Sequence, residues 1–254
     1  IEGLETIDEV WVPSQFVADA VAKVTDKPVL RVPYCVERGE VAPLDRAELG
    51  LTASDYVFLF MFDISSVMER KNPLAVVEAF KRAFGLDERA ALVLKVGRSD
   101  YDGCSFAHLK RQTLGHNIRL WTAPLSRPRV NGLLAACDCY VSLHRAEGFG
   151  LTLAEAMLAG KPVIATAWSG NMDFMTNENS LPVDFRLVDV PAGLPWYEAG
   201  NRWADASVEH AAEQMRWAFE NRAAAAAIGA TASRQVGAWL SRRTVGGIMR
   251  RRLE

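Results

Sequence analysis

Cysteine is scarce in this chain, with 4 in 254 residues. None stands in a metal-ligand spacing: Cys137 and Cys139 flank a single Asp, and no matching Cys or His pair lies elsewhere. That excludes a zinc module and a disulfide-stapled scaffold. Cys35, Cys104, Cys137 and Cys139 are expected to be reduced thiols of a cytoplasmic protein. No apolar run reaches the ~20 residues that span a bilayer, and no signal-peptide pattern is present. An excess of one charge is missing too. The formal net charge is −2, so a nucleic-acid partner is not expected. No Gly-x-Gly-x-x-Gly follows an early strand, which leaves a Rossmann dehydrogenase without its fingerprint. No acidic metal cluster is visible, and neither a metal nor a cofactor is expected.

What is present is a long alternation of apolar strands and amphipathic segments. Strands are predicted at Tyr56–Phe62, Ala91–Val96, Ile118–Trp121, Cys139–Leu143, Pro162–Thr166 and Leu181–Val183. Helices are predicted at Pro73–Phe84, Ser105–Thr113, Pro128–Ala136, Leu151–Ala159 and Asn171–Met175, with Pro suiting a first turn. Near-continuous Val, Leu and Ile strands between helices imply a parallel sheet covered on both faces. Right-handed crossovers then give an α/β, Rossmann-like, doubly wound domain. Residues 1–36 read as strand, helix, strand, at Asp8–Val12, Ser14–Val24 and Val29–Val32, and 186–204 as a long irregular stretch. Ser207–Asn221 is expected to be a helix capped by Ser207, with further Ala-rich helix to Arg252. The chain opens at Ile1 inside a pattern already under way and reads as a piece of a longer protein. The tail arginines Arg242, Arg243 and Arg250–Arg252 fit either a solvated helix face or peripheral contact with an anionic membrane surface.

The most informative stretch is Glu147-Gly-Phe-Gly-Leu-Thr-Leu-Ala-Glu155, set between two apolar strands. Gly148 and Gly150 remove side chains where the backbone turns and a ligand must come close. Gly160 suits a left-handed stop, and Pro162 blocks continuation. The first N–H groups of the helix opened at Leu151 lack internal partners, and the helix dipole adds partial positive charge there, so a diphosphate fits. Glu147 precedes the helix and Glu155 lies about two turns in, so they reach different parts of an elongated ligand. Carboxylates accept from hydroxyls, which makes sugar and ribose natural partners. Singly, each glutamate is an ordinary helix-end charge; together with the glycines and flanking strands they read as a site.

The segment Ser142–Thr166 resembles the signature of family-four retaining glycosyltransferases of the GT-B fold: Glu, seven residues, Glu, an Ala-Met helix, then Gly-x-Pro-Val-Ile. The resemblance runs from about Val10 to Trp217 and takes in Asp63–Pro73 and Ser169–Phe174. It implies the C-terminal half of a GT-B enzyme: 1–36 as a remnant of the N-terminal acceptor domain with its linker, 37–222 as the nucleotide-sugar-binding domain, and 223–254 as a C-terminal helical segment. The rest of the N-terminal domain would be a missing partner. The activity implied is metal-independent transfer of a hexosyl unit, with retention, from a UDP- or GDP-linked sugar to a glycan or lipid-linked acceptor. Glu147 would hold donor sugar hydroxyls, helped by backbone N–H groups of Phe149, Gly150 and Leu151. Glu155 would hold the ribose. Thr152 and the helix start, with Arg70 and Lys71, would bind the diphosphate. Rival readings are a GT-B nucleotide-sugar epimerase and a binding module that is inert alone.

Arg70 and Lys71 are expected in a loop at a strand's carboxyl end, where open α/β sheets bind ligands. Many relatives carry Gly-Arg directly after the first strand; here Phe62-Asp63 stands there, the loop is about two residues longer, and Arg70 is expected to supply the charge instead. His144 and Lys95 end strands and are candidate donor contacts, though a structural role suits each as well. Trp121 and Thr122 fit packing near the base or in the core. Ser169, Gly170 and Asn171 open a short helix at the same sheet edge and read either as donor contacts or as an N-cap.

Overall fold

The computed structural model describes residues 2–86 and 88–254. A first unit, β1 (Val10–Val12), α1 (Gln15–Val21) and β2 (Val29–Arg31), closes as a separate two-stranded parallel sheet. The main sheet holds β3 (Tyr56–Asp63), β4 (Ala90–Gly97), β5 (Ile118–Trp121), β6 (Cys139–Ser142), β7 (Val163–Thr166) and β8 (Leu181–Val183). Its six strands lie in the order β5-β4-β3-β6-β7-β8, and every pairing is parallel. Tyr56 to Phe62 are buried without a break, as a strand covered on both faces requires. The chain starts in mid-sheet, winds outward to β5, then crosses back to β6. The winding direction therefore reverses between β3 and β6, the place where doubly wound sheets open a ligand crevice at their carboxyl ends.

That crevice is visible in the hydrogen bonding. β3 and β4 pair from Tyr56 to Asp63, whereas β3 and β6 pair only at Phe58↔Cys139 and Leu59↔Tyr140. Beyond Leu59 the buried Tyr140 hydroxyl replaces the ladder, 3.3 Å from both N and O of Met61. The two strands thus part toward the edge where ligands bind.

The connecting helices are α2 (Met68–Lys71), α3 (Pro73–Ala83), α4 (Gly103–Thr113), α5 (Arg127–Ala136) and α6 (Leu151–Leu158), followed by α7 (Val208–Glu220), α8 (Arg222–Trp239) and α9 (Arg242–Leu253). Gly160 takes the expected left-handed turn after α6, at φ 79°, and Ser207 caps α7 through the His210 N–H. Three expectations need correction. Arg70 and Lys71 lie in the short helix α2, not in an open loop. A 3-10 turn at Gly170–Asp173 replaces the helix expected at Asn171–Met175. The stretch 186–204 is irregular over 190–201 as expected, but its ends pair as a hairpin, β9 (Phe185–Asp189) antiparallel with β10 (Arg202–Ala206). It is anchored by the Ala204 N–H on the Arg145 carbonyl at 2.9 Å and by the Arg145 guanidinium over the Trp203 ring.

All four cysteines are unpaired, and burial pushes the Cys137 thiol up to about 12. Among the described residues, no helix is long and apolar enough to cross a membrane.

Candidate donor site at the sheet reversal

The turn after β6 sets the geometry. Gly150 sits at φ 89°, and a Cβ there would lie 2.9 Å from Leu153, so only glycine fits without strain. Gly148 has no positive φ, and a Cβ there would meet Val17 at an ordinary 3.6 Å. Helix α6 then opens at Leu151. Among the described residues, the N–H groups of Phe149, Gly150, Leu151 and Thr152 donate to no protein acceptor, leaving four adjacent donors with the helix dipole behind them.

Glu147 stands beside these donors, and two cations reach it across the crevice. Lys71 Nζ donates to Glu147 Oε1, and Arg70 Nη1 lies 3.2 Å from the same oxygen. Arg70 also donates to the Ala146 carbonyl at 2.8 Å. Burial alone would push the Glu147 carboxyl up, but the groups around it, Lys71 first and Arg70 among them, hold it below its ordinary range. The Lys71 ammonium is itself lowered, because burial outweighs the attraction of Glu147. Among the described residues, no group of His, Cys, Asp and Glu is placed to hold a metal ion.

Helix α2 reaches this position through strained backbone. Val67 and Asn72, at its two ends, have φ of 64° and 53°, and left-handed Val is rare. Tertiary bonds hold it there: Asn72 Nδ2 donates to the Leu143 carbonyl at 3.0 Å, and the Arg145 N–H to the Arg70 carbonyl at 2.8 Å. Strain so overdetermined clusters at functional sites.

His144 lies behind the crevice, fully buried. Its Nε2 faces Asn171 Oδ1 at 3.0 Å and the Trp168 carbonyl at 3.2 Å, while Nδ1 lies 3.1 Å from Ser142 Oγ. Asn171 Nδ2 donates to the Thr166 carbonyl, so its oxygen is the acceptor. This assigns the His144 proton to Nε2 and the Ser142 hydroxyl as donor to Nδ1. Burial holds the imidazole below its ordinary value, and the ring is neutral support for the loop. Ser169 has φ 82° and makes no capping bond; its Oγ accepts from the Glu147 N–H at 2.9 Å. Gly170 donates its N–H to the Glu147 carbonyl, and a Cβ there would lie 2.3 Å from the Gly148 oxygen.

Glu155 lies apart from that network. Arg127, the first residue of α5, contacts its Oε1 at 2.5 Å. Both line a cleft of about 250 Å³ shared with Arg38, Asn131 and Leu158. Lys95 stands on the other side of β3, with its ammonium 3.4 Å from the Val96 carbonyl and within the field of Asp63. Asp63 accepts from the Ser65 N–H at 2.8 Å. Trp121 packs against the core. The crevice thus gathers Arg70, Lys71, Glu147 to Thr152, Ser169 and Gly170, with His144 beneath; Lys95 and Glu155 stand to either side. Sequence reasoning missed Arg127 and the Asn72 amide; Asn171, read with Ser169 and Gly170 as a donor contact or cap, instead holds His144. Arg127 left a readable trace, a cation beside Pro128 where a helix starts at the sheet's carboxyl edge.

With this geometry in hand, comparison with known proteins is decisive for the family. Residues 43–235 match the profile described as "Glycosyl transferases group 1". The chain belongs to that family. Sucrose synthase 2 of Hordeum vulgare is 28% identical over 149 residues, 53% of this chain and 18% of the relative. Among solved structures, sucrose-phosphate synthase from Thermosynechococcus elongatus superposes with a TM-score of 0.74 at 20% identity, covering 98% of this chain and 59% of the other. Anabaena HepE, solved in complex with UDP-glucose, gives 0.73 at 19% identity, covering 97% and 63%. These structures share the GT-B fold, and the chain spans about three fifths of their length.

Proposed function

We propose that this chain carries the donor half of a retaining, metal-independent glycosyltransferase. It would move a hexosyl unit from a UDP- or GDP-linked sugar to a glycan or lipid-linked acceptor. The observation that carries the reading is the crevice where β3 and β6 part. Lys71 and Arg70 from one strand's exit meet Glu147 from the other's, beside four N–H groups that have no acceptor among the described residues. A diphosphate there would take the N–H groups of Leu151 and Thr152 and the two cations. Glu147 would accept from sugar hydroxyls and Glu155 from ribose hydroxyls, displacing Arg127. Lys95 would approach the base or phosphates from the far side of β3.

As the glycosidic bond breaks, charge grows on the departing diphosphate, so fixed cations and N–H dipoles favour the transition state over the ground state. In front-face substitution the acceptor oxygen attacks on the leaving group's side, and a departing phosphate oxygen takes its proton. That chemistry needs no carboxylate nucleophile. It suits a Glu147 whose carboxylate is already held by two cations.

The chain's share of its neighbours' length favours a second reading of the isolated chain: it binds donor without turnover until the other domain is supplied. Peripheral contact with an anionic membrane would fall to Arg243, Arg250 and Arg251, because Arg242 pairs with Glu37 and Arg252 with Glu9.

A thermal-shift screen with UDP, GDP and their sugars tests the proposal, with a clear rise in melting temperature expected from at least one. Glu155→Ala should weaken nucleotide binding, whereas Glu147→Ala should mainly remove the extra affinity due to the sugar. Equal losses in both variants would refute this division.

A further inference from the structure

The first unit of the chain is hydrogen-bonded to the glycine turn through Ser14. Ser14 is fully buried, and its Oγ donates to the Gly148 carbonyl at 2.6 Å while accepting the Val17 N–H at 3.2 Å. The contact joins residues 134 positions apart. Polar and aromatic contacts flank it: Asp173 accepts from the Gln15 N–H at 2.9 Å and from Arg31 at 3.0 Å, and the Phe16 ring meets Trp168 edge-on at 5.7 Å.

The Gly148 carbonyl and the Phe149 N–H belong to one peptide unit. No peptide bond among the described residues is cis, and in a trans unit C=O and N–H point in opposite directions. Fixing the carbonyl on Ser14 therefore turns the Phe149 N–H away from α1. Gly170 presses on the same unit, since a Cβ there would lie 2.3 Å from its oxygen and 2.8 Å from its nitrogen. The peptide is clamped at its carbonyl end and on its face. Its N–H is free of any protein acceptor among the described residues and adjoins the three free donors that open α6.

We infer that Ser14 is a positioning residue for the donor: by holding the Gly148 carbonyl it aims the Phe149 N–H at the diphosphate, beside Leu151 and Thr152, rather than at the sugar hydroxyls where the family resemblance puts it. The inference rests on the donor-site reading above and adds a residue from the first unit to it. Docking of that unit would then switch on one phosphate donor, so α1 and the turn must engage for the site to be complete.

The test compares UDP with uridine, and GDP with guanosine, by calorimetry on the whole chain and on Ser14→Ala. Ser14→Ala should weaken the bound diphosphate about tenfold, the worth of one hydrogen bond to a charged group, and leave the nucleoside unchanged. Ser14→Thr, which keeps the hydroxyl, should recover most of the loss. A purely structural Ser14 would lower both affinities together, and that result, or none at all, overturns the inference with the donor reading intact. If the unaltered chain binds neither diphosphate, the donor reading falls and the inference with it. Should Ser14→Ala not fold, the Phe149 amide resonance of the unaltered chain decides. It should shift with the bound diphosphate and not with its nucleoside; an unmoved resonance overturns the inference.

Discussion

Glu147 and Glu155 stand at the two ends of one turn and helix, and the fold holds them in opposite ways. The side chain of Glu147 is 15% exposed and its cations Arg70 and Lys71 are 14% and 18% exposed; Glu155 is 11% exposed, but its cation Arg127 is 57% exposed. Around Glu147 the frame is tied at several points: Ser169 Oγ accepts from its N–H, the Gly170 N–H donates to its carbonyl, Arg70 also donates to the Ala146 carbonyl, and Asn72 ties α2 to the strand exit. Arg127 makes no second side-chain bond among the described residues. One end is organised before any ligand arrives, and the other is closed by a single cation that water can replace. Preorganisation belongs where charge develops in the reaction, and adjustability where a nucleoside must enter and leave.

The largest expected effect breaks the buried end. Glu147→Ala leaves Lys71 and Arg70 without their carboxylate, which should cost about 3 kcal/mol in chemical denaturation. Glu155→Ala, beside an exposed cation, should cost under about 1 kcal/mol. Next is Gly170→Ala, where the added Cβ must push the Gly148 peptide aside. A loss of about 2 kcal/mol in the same measurement is expected, with weaker diphosphate binding. Ser169→Ala removes the acceptor of the Glu147 N–H and should cost about 1 kcal/mol, while Arg127→Ala should leave the melting temperature within the error of a surface change.

The smallest effect is a pH step beneath the rigid end. The His144 imidazole is held below its ordinary value near 6.5, so the unfolded chain binds a proton that the folded chain refuses. Stability should therefore fall as pH drops below about 6.5. The carboxylate of Glu147, also held low, adds its own loss only as pH falls below its ordinary 4.5. Melting curves from pH 7.5 to 5.5 should show the first step, and His144→Gln should flatten it.

The same contrast explains what could be read from the sequence. The six main strands and most helices followed from apolar runs, Pro at helix starts and the glycine stop at Gly160, all local signals. Glu147, Gly150 and Glu155 were legible because their spacing lies within a single turn and helix. The hairpin was not: β9 and β10 each hold only five residues, their pairing depends on Arg145 and Trp203, and Pro191, Pro195 and Gly200 between them read as loop. Helix α2 escaped notice because four residues show no periodicity and its strained ends are fixed by distant partners. Ser14 was visible only as the start of a helix. Its bond to Gly148 depends on how two units dock, which no local pattern encodes.

The most direct measurement is a crystal structure of the chain with UDP-glucose or GDP-mannose bound. The diphosphate should lie within hydrogen-bond reach of the Thr152 N–H and Lys71, with the ribose on Glu155 and Arg127 swung aside. A nucleotide bound elsewhere, with the gap between β3 and β6 still empty, would contradict the account.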